Sequence, residues 1–246
     1  TQMLRHIKKI VRYAFIELWL PPHCDLKPIL DRNLHEGDFF IQIGSNDGTS
    51  YDPIHDLVLK KHLQGVLVEP VKSAFYTLRQ TYRGRPGLKF ENSAITERSG
   101  ARTFYRLTPI TDQRVPLWHT LIGSFDKDII LAYKCRIPDI EKNLITEDIN
   151  CVTFRDLIRK YSVRKLDLLH IDAEGYDFRI IKSIDFNEIK PRMLFFEHQT
   201  IYMNWMSRYF TGFLQYIGCM RRLKREGYRL VREGGDTLAV YIRPAV

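Results

Sequence analysis

The sequence predicts an α/β fold: a mostly parallel sheet with helices on both faces and an antiparallel C-terminal hairpin strand. Three observations predict it. From Asp38 onward, short runs rich in Phe, Ile, Leu and Val alternate with helical periods, the pattern of a parallel sheet covered on both sides. Two of those runs, Phe39–Ile43 and Leu166–Asp172, lead directly into glycine-bearing turns. The last two runs are separated by the turn Gly234-Gly235-Asp236, too short for a crossover, so they must be antiparallel to one another.

The elements follow in order. Over residues 4–19, Leu4, Ile7, Val11, Phe15, Leu18 and Trp19 share one helical face, Arg5, Lys8, Lys9 and Arg12 lie elsewhere, and Pro21-Pro22 ends the helix. Residues 1–37 thus read as a basic amphipathic helix and linker packed on the main domain, with peripheral membrane contact as the alternative use of that helix. Residues 38–246 read as one domain. A strand at Phe39–Ile43, a helix near 53–62, a strand at Val66–Glu69, a helix at 73–82 and a strand at 88–92 open it. The run 101–107 alternates as a strand does. Residues 108–150, with Trp118, His119 and a helix near 126–133, read as a cap or insert. A helix at 153–161, a strand at 166–172, a helix after Gly175, a strand at 193–197, a helix at 219–226 and strands at 228–232 and 237–243 complete the order.

Open α/β sheets bind ligands at the carboxyl ends of their strands, so the chemistry should follow each strand. The first gives Gly44-Ser45-Asn46-Asp47-Gly48. The second ends in Glu69, whose carboxylate can accept hydrogen bonds from both hydroxyls of a ribose. A dinucleotide site wants glycine where Asn46 stands, and Asp47 would repel a pyrophosphate. S-adenosyl-L-methionine carries no phosphate and two cationic groups, so Asp47, Glu69 and Asp172 suit it better. The run His170-Ile171-Asp172-Ala173-Glu174-Gly175-Tyr176-Asp177 places two carboxylates and a glycine at the end of a buried strand, although Glu174 could instead cap the next helix. Phe195-Phe196-Glu197-His198 ends another strand. His198 has the intrinsic pKa of a general base, and Asp172, Glu197 and His198 together would also suit a divalent cation.

Together these residues resemble the FkbM family of S-adenosyl-L-methionine-dependent methyltransferases, a Rossmann-like class I methyltransferase group with a seven-stranded sheet. The resemblance runs from about Asp38 to Arg243. His170–Asp177 looks like the family's Lys-Ile-Asp-x-Glu-Gly segment, Phe39–Gly48 its first glycine motif, Val68-Glu69-Pro70 its ribose-binding strand end, and Asn92-Ser93-Ala94 its adenine-side motif. Gly123–Asp126, Phe196–His198 and Asp236–Ala239 look like a subgroup of the family. Two positions depart from it: Gln42 stands where the family usually has Asp, and His170 where it has Lys.

The resemblance implies methyl transfer to a hydroxyl of a sugar, glycan or natural product. On that reading Gly44, Ser45, Asn46, Gly48, Glu69, Pro70, Ser93, Ala94 and Asp172 hold the cofactor. Asp172 or His198 takes the hydroxyl proton, and Glu174 and Glu197 orient substrate or metal. Trp118, His119, Tyr202 and Trp205 are the candidate aromatic and polar walls of an acceptor site.

Composition bounds the alternatives. The chain has 246 residues, 44% hydrophobic and 27% charged, with a net charge of +9. No apolar run approaches the roughly 20 residues of a membrane span. Cys24, Cys135, Cys151 and Cys219 form no Cys-x-x-Cys pair and read as reduced thiols of a cytoplasmic protein. The basic residues Arg221, Arg222, Lys224, Arg225, Arg229 and Arg232 would serve a nucleic-acid methyltransferase, but Asp172–Gly175 lacks the Pro-Pro-aromatic and Pro-Cys patterns of those enzymes, so no nucleic-acid partner is expected. An inactive binding module on the same fold is the remaining alternative, with Gln42 as its best support.

Overall fold

The computed structural model describes residues 21–112, 114–115, 117–198 and 209–242. The helix read over residues 4–19 lies outside them, as do Tyr202 and Trp205. The chain runs α1 (Leu26–Asn33), β1 (Phe39–Ile43), α2 (His55–Lys60), β2 (Gln64–Val68), α3 (Lys72–Thr81) and β3 (Leu88–Glu91). Next come β4 (Ala94–Ile95), β5 (Gly100–Leu107), β6 (Gly123–Ser124), α4 (Lys127–Leu131) and β7 (Leu144–Val152). The rest is α5 (Phe154–Lys160), β8 (Leu168–Ile171), α6 (Asp177–Ser183), β9 (Met193–Glu197), α7 (Tyr209–Arg225), β10 (Tyr228–Glu233) and β11 (Asp236–Tyr241).

Seven strands form the main sheet in the order β3-β2-β1-β8-β9-β11-β10. β1, β2, β3, β8 and β9 pair in parallel, and β11 runs antiparallel to both neighbours, as the short final turn requires. The strand period of two sorts side chains between the faces. Ile41 and Ile43 join a core built with Phe154, Leu157 and Ile158 of α5, Ile180 and Ile181 of α6, and Leu223 of α7. Phe40 faces the other way, into Leu26 and Leu30 of α1, Leu57 and Val58 of α2, and Leu78 of α3. Each such side chain contributes about 1.5–3 kcal/mol by leaving water.

Two elements depart from the sequence reading. α1 falls in the stretch read as linker: Asp25 caps it by accepting from the Lys27 amide at 3.1 Å, and Leu26, Leu30 and Leu34 are buried at helical spacing. β7 lies in the stretch read as irregular, where Glu147 and Asp148 interrupt the apolar alternation. It pairs antiparallel with β5 over eight residues, and Arg106 of β5 answers Glu147 at 2.8 Å. β5 and β7 join β4 and β6 in a second sheet, and the connection between them packs Val115, Ile122, Ile130, Ile137 and Ile140 into a small core of its own.

The far end of the main sheet is closed by charge. Asp38 and Asp167 are buried, and Arg192 donates to both and to the Asn33 carbonyl. The basic run near the C-terminus is partly spent inside the fold. Arg222 donates to the carbonyls of Ile181, Lys182 and Ile184 at 2.6–2.8 Å, satisfying the end of α6, and Arg232 donates to the Pro21 carbonyl at 3.0 Å.

Candidate active site

β1 is flanked by β2 on one side and β8 on the other, so the chain reverses its direction of travel across the sheet there. A cavity of about 480 Å³ opens at the carboxyl ends of these strands, as such a switch point predicts. The second sheet and its connection form its outer wall, through Phe104, Trp118, Leu121, Phe125 and Tyr133.

The turn after β1 is shaped by backbone demands. Gly44 has φ +80°, and a Cβ there would stand 1.8 Å from the Asp172 carbonyl oxygen, so β1 and β8 meet at this point only through glycine. Ser45 hydrogen-bonds back to the Gln42 carbonyl at 3.1 Å. Asn46 adopts φ +47°; its amide donates to Glu69 Oε2 at 2.9 Å, and its side chain donates to the Leu121 carbonyl at 3.3 Å, joining the turn to the outer wall. Gly48 does not line the cavity. A Cβ there would come within 2.7 Å of Leu78 and Tyr82, so this glycine seats the turn on α3.

Glu69 accepts from the Asn46 and Val71 amides at 2.9 and 2.8 Å. Burial, reinforced by Asp172 and Asp47, outweighs those bonds and raises its pKa to about 7. Pro70 lies beside it in the wall, as do Ser93 and Ala94. Among the described residues, the Ser93 hydroxyl, Gln42 Oε1 and His170 Nδ1 are buried with no hydrogen-bond partner.

The acidic floor comes from β8 and β9. Asp172, Glu174 and Glu197 all line the cavity. Asp172 is open to the cavity, yet enclosure by the surrounding protein first, then Glu197 and Asp52, holds its pKa above the usual carboxylate range, and desolvation with Asp172 and Glu197 does the same to the half-buried Glu174. Glu174 does not cap α6. The cap residue is Tyr176 with no side-chain bond, whereas Glu174 itself sits at φ +47° ahead of Gly175 at φ +86°. An unfavourable backbone that aims a carboxylate into a cavity is the kind of strain that functional sites hold.

His198 is brought near this floor but not into it. It is buried behind the wall, with Nδ1 3.0 Å from Thr237 Oγ1 and its ring against Tyr216. Burial and the Arg232 charge lower its pKa to about 4. His198, read from the sequence as a candidate base or metal ligand, thus does not line the cavity, and its imidazole is weakly basic. Among the described residues no group of three or more His, Cys, Asp or Glu side chains has the geometry of a metal site. His119, read as a candidate wall residue, is likewise buried, its Nε2 accepting from the Ile110 amide at 2.9 Å.

Residues 42–230 match the model of the methyltransferase FkbM domain, from the middle of β1 into β10. The chain belongs to the FkbM methyltransferase family. A search of curated proteins finds no match. Among solved structures, this FkbM-family chain is similar to a methyltransferase FkbM from Methylobacillus flagellatus KT, at 13% identity and TM-score 0.45, covering 84% of this chain and 44% of that one. It therefore spans less than half the length of that protein. It is also similar to an O-methyltransferase from Bacillus cereus solved with SAH, at 9% identity and TM-score 0.44, covering 98% and 91% of the two chains. Likeness at that level carries no argument about chemistry.

Family membership implies S-adenosyl-L-methionine as methyl donor, and the residues present fit it. The unpartnered Ser93, Gln42 and His170 atoms offer polar contacts, Glu69 retains free lone pairs for ribose hydroxyls, and the acidic floor complements a cation.

Several lining residues were not singled out from the sequence as site residues: Tyr51, Asp52, Arg106, Tyr133 and Arg136. Asp52 and Tyr51 follow the glycine turn, so a wider reading of that loop could have found them. Arg106, Tyr133 and Arg136 reach the cavity through pairing of β5 with β7, which leaves no local signal.

Proposed function

We propose that this protein is an O-methyltransferase, moving the methyl group of S-adenosyl-L-methionine to a hydroxyl of a sugar, glycan or natural product. The observation that carries the reading is Asp172: a carboxylate at the end of β8, against the Gly44 turn, on the floor of a cavity walled by Trp118 and Tyr133. When bound, the donor supplies an electrophilic methyl on a sulfonium. Glu69 and Ser93 hold its nucleoside portion, and the turn Gly44–Asn46 fixes its place.

An alcohol attacks well only as its proton leaves. Asp172 is open to the cavity, yet the protein enclosing it and the neighbouring Glu197 and Asp52 push its pKa upward, so it is a stronger base than a carboxylate free in water and accepts that proton. Glu174 and Glu197 orient the hydroxyl. Trp118 and Tyr133, with ring centroids 5.1 Å apart, supply apolar surface that excludes water and can stack on a saccharide face.

The test is incubation with methyl-labelled donor and a panel of saccharides and polyketide-like alcohols, with the product bond identified by NMR. Label on a hydroxyl oxygen is the expected result. Label on nitrogen or carbon overturns the reading. A titration of S-adenosylhomocysteine into wild type and Glu69→Ala runs in parallel, with loss of affinity expected in the variant.

A further inference from the structure

The charges lining the cavity are segregated by origin. Five carboxylates, Asp52, Glu69, Asp172, Glu174 and Glu197, come from the main sheet and its loops. Two cations, Arg106 and Arg136, come from β5 and the connection that follows it. Arg106 spends its Nε on Glu147 at 2.8 Å, while its terminal nitrogens donate to nothing among the described residues. Arg136 is exposed on the cavity wall and makes no ion pair among the described residues.

Tyr133 connects the two regions. Its ring packs against Trp118, and its hydroxyl is close enough to feel the charges of Glu174, Glu197 and Asp172 as well as that of Arg136. A ligand reaching from the acidic floor to this aromatic pair therefore comes within reach of Arg136, with Arg106 lining the same cavity. The floor repels anions, so an anionic group can be accommodated only at the arginine end. A planar guanidinium with free donors suits a carboxylate or phosphate oxygen pair.

We infer that the acceptor carries an oxyanion, a carboxylate or a phosphate ester, which Arg136 and the free nitrogens of Arg106 hold while the reacting hydroxyl is turned toward Asp172. This rests on the saccharide O-methyltransferase reading above and deepens it. Arg136 is the specificity-determining residue: it selects charged acceptors over neutral ones and fixes which end of the sugar enters first.

The test uses the protein saturated with S-adenosylhomocysteine, titrated with methyl glucoside, glucuronate and glucose 6-phosphate. At least one charged sugar should bind tenfold or more tighter than the neutral one, and the two charged probes separate a carboxylate from a phosphate preference. In Arg136→Gln that advantage should shrink to within about twofold, with S-adenosylhomocysteine affinity unchanged. Arg106→Gln should give an intermediate loss. Equal binding of neutral and charged sugars, or an advantage that survives in Arg136→Gln, overturns the inference alone. Failure of all three sugars to bind overturns the saccharide reading and this inference with it.

Discussion

Gln42 and His170 are register partners on the adjacent parallel strands β1 and β8, on the sheet face that carries Phe40 and Leu168, and both line the cavity. The two positions where the sequence departs from its family thus face each other. Burial lowers the His170 pKa to about 3, so the imidazole is neutral and stacks on Phe195 with centroids 4.8 Å apart. Asp52, half-buried nearby, has its pKa raised by desolvation, partly offset by the Ile54 amide and then the Gln42 side chain. The family's acid and base are replaced together by two neutral polar groups.

That relationship makes a coupling measurable. Gln42→Asp alone sets a second carboxylate against Asp52 with no cation to answer it, and should cost about 3–5 kcal/mol. Adding His170→Lys should recover much of that, giving a favourable coupling of about 1 kcal/mol or more in a double-mutant cycle. Urea unfolding of the four proteins measures it; additive effects would show that the two positions act independently.

The pH dependence follows from Glu69. Its folded pKa, about 7, lies above the ordinary value of 4.5, so its contribution to stability is fully present at low pH and is lost as pH rises through 7. Without cofactor, the melting temperature should fall between about pH 5.5 and 7 and level off above. Glu69→Gln should flatten that fall by about 2 kcal/mol of pH-dependent stability. Affinity for the cationic donor should rise over the same interval, since binding favours the ionised carboxylate. Calorimetry in buffers of different ionisation enthalpy should detect proton release near pH 7.

Catalytic assignment separates Asp172 from His198. Asp172→Asn should reduce kcat by about 10²–10⁴-fold, the range for loss of a general base. His198→Gln, which leaves the cavity lining intact, should change kcat by less than about tenfold while lowering stability by about 1–3 kcal/mol through the Thr237 contact. A large kcat loss in His198→Gln with unchanged folding would reverse the assignment.

Two glycines with the same φ of +80° give a steric control. Gly44→Ala places its methyl group 1.8 Å from the Asp172 carbonyl oxygen, so the turn must move, and we expect more than about 3 kcal/mol of destabilisation and loss of cofactor binding. Gly84→Ala meets nothing within 4 Å and should cost about 1–2 kcal/mol from backbone strain alone. Thermal melts and S-adenosylhomocysteine titration of both variants check the contrast.

Patterning along the chain specifies the main sheet and several residues at its carboxyl edge that line the cavity. Alternating apolar runs at Phe39–Ile43, Val66–Val68, Leu168–Ile171 and Met193–Glu197 leave few ways to bury them, and the turn at Gly234 allows only a hairpin. Gly44, Glu69 and Asp172 were legible because each follows such a strand directly, where local backbone order fixes what reaches the cavity. The remaining features depend on contacts between segments distant in sequence. β7 was hidden because Glu147 is unremarkable until Arg106, diagonally placed on β5, pairs with it. His198 has the right chemistry and the right strand, yet closure of β11 over β9 buries it against Thr237, which no spacing reveals. Arg106 and Arg136 belong to the site only because a second sheet folds over the first, bringing together residues whose separation in sequence carries no periodic signal.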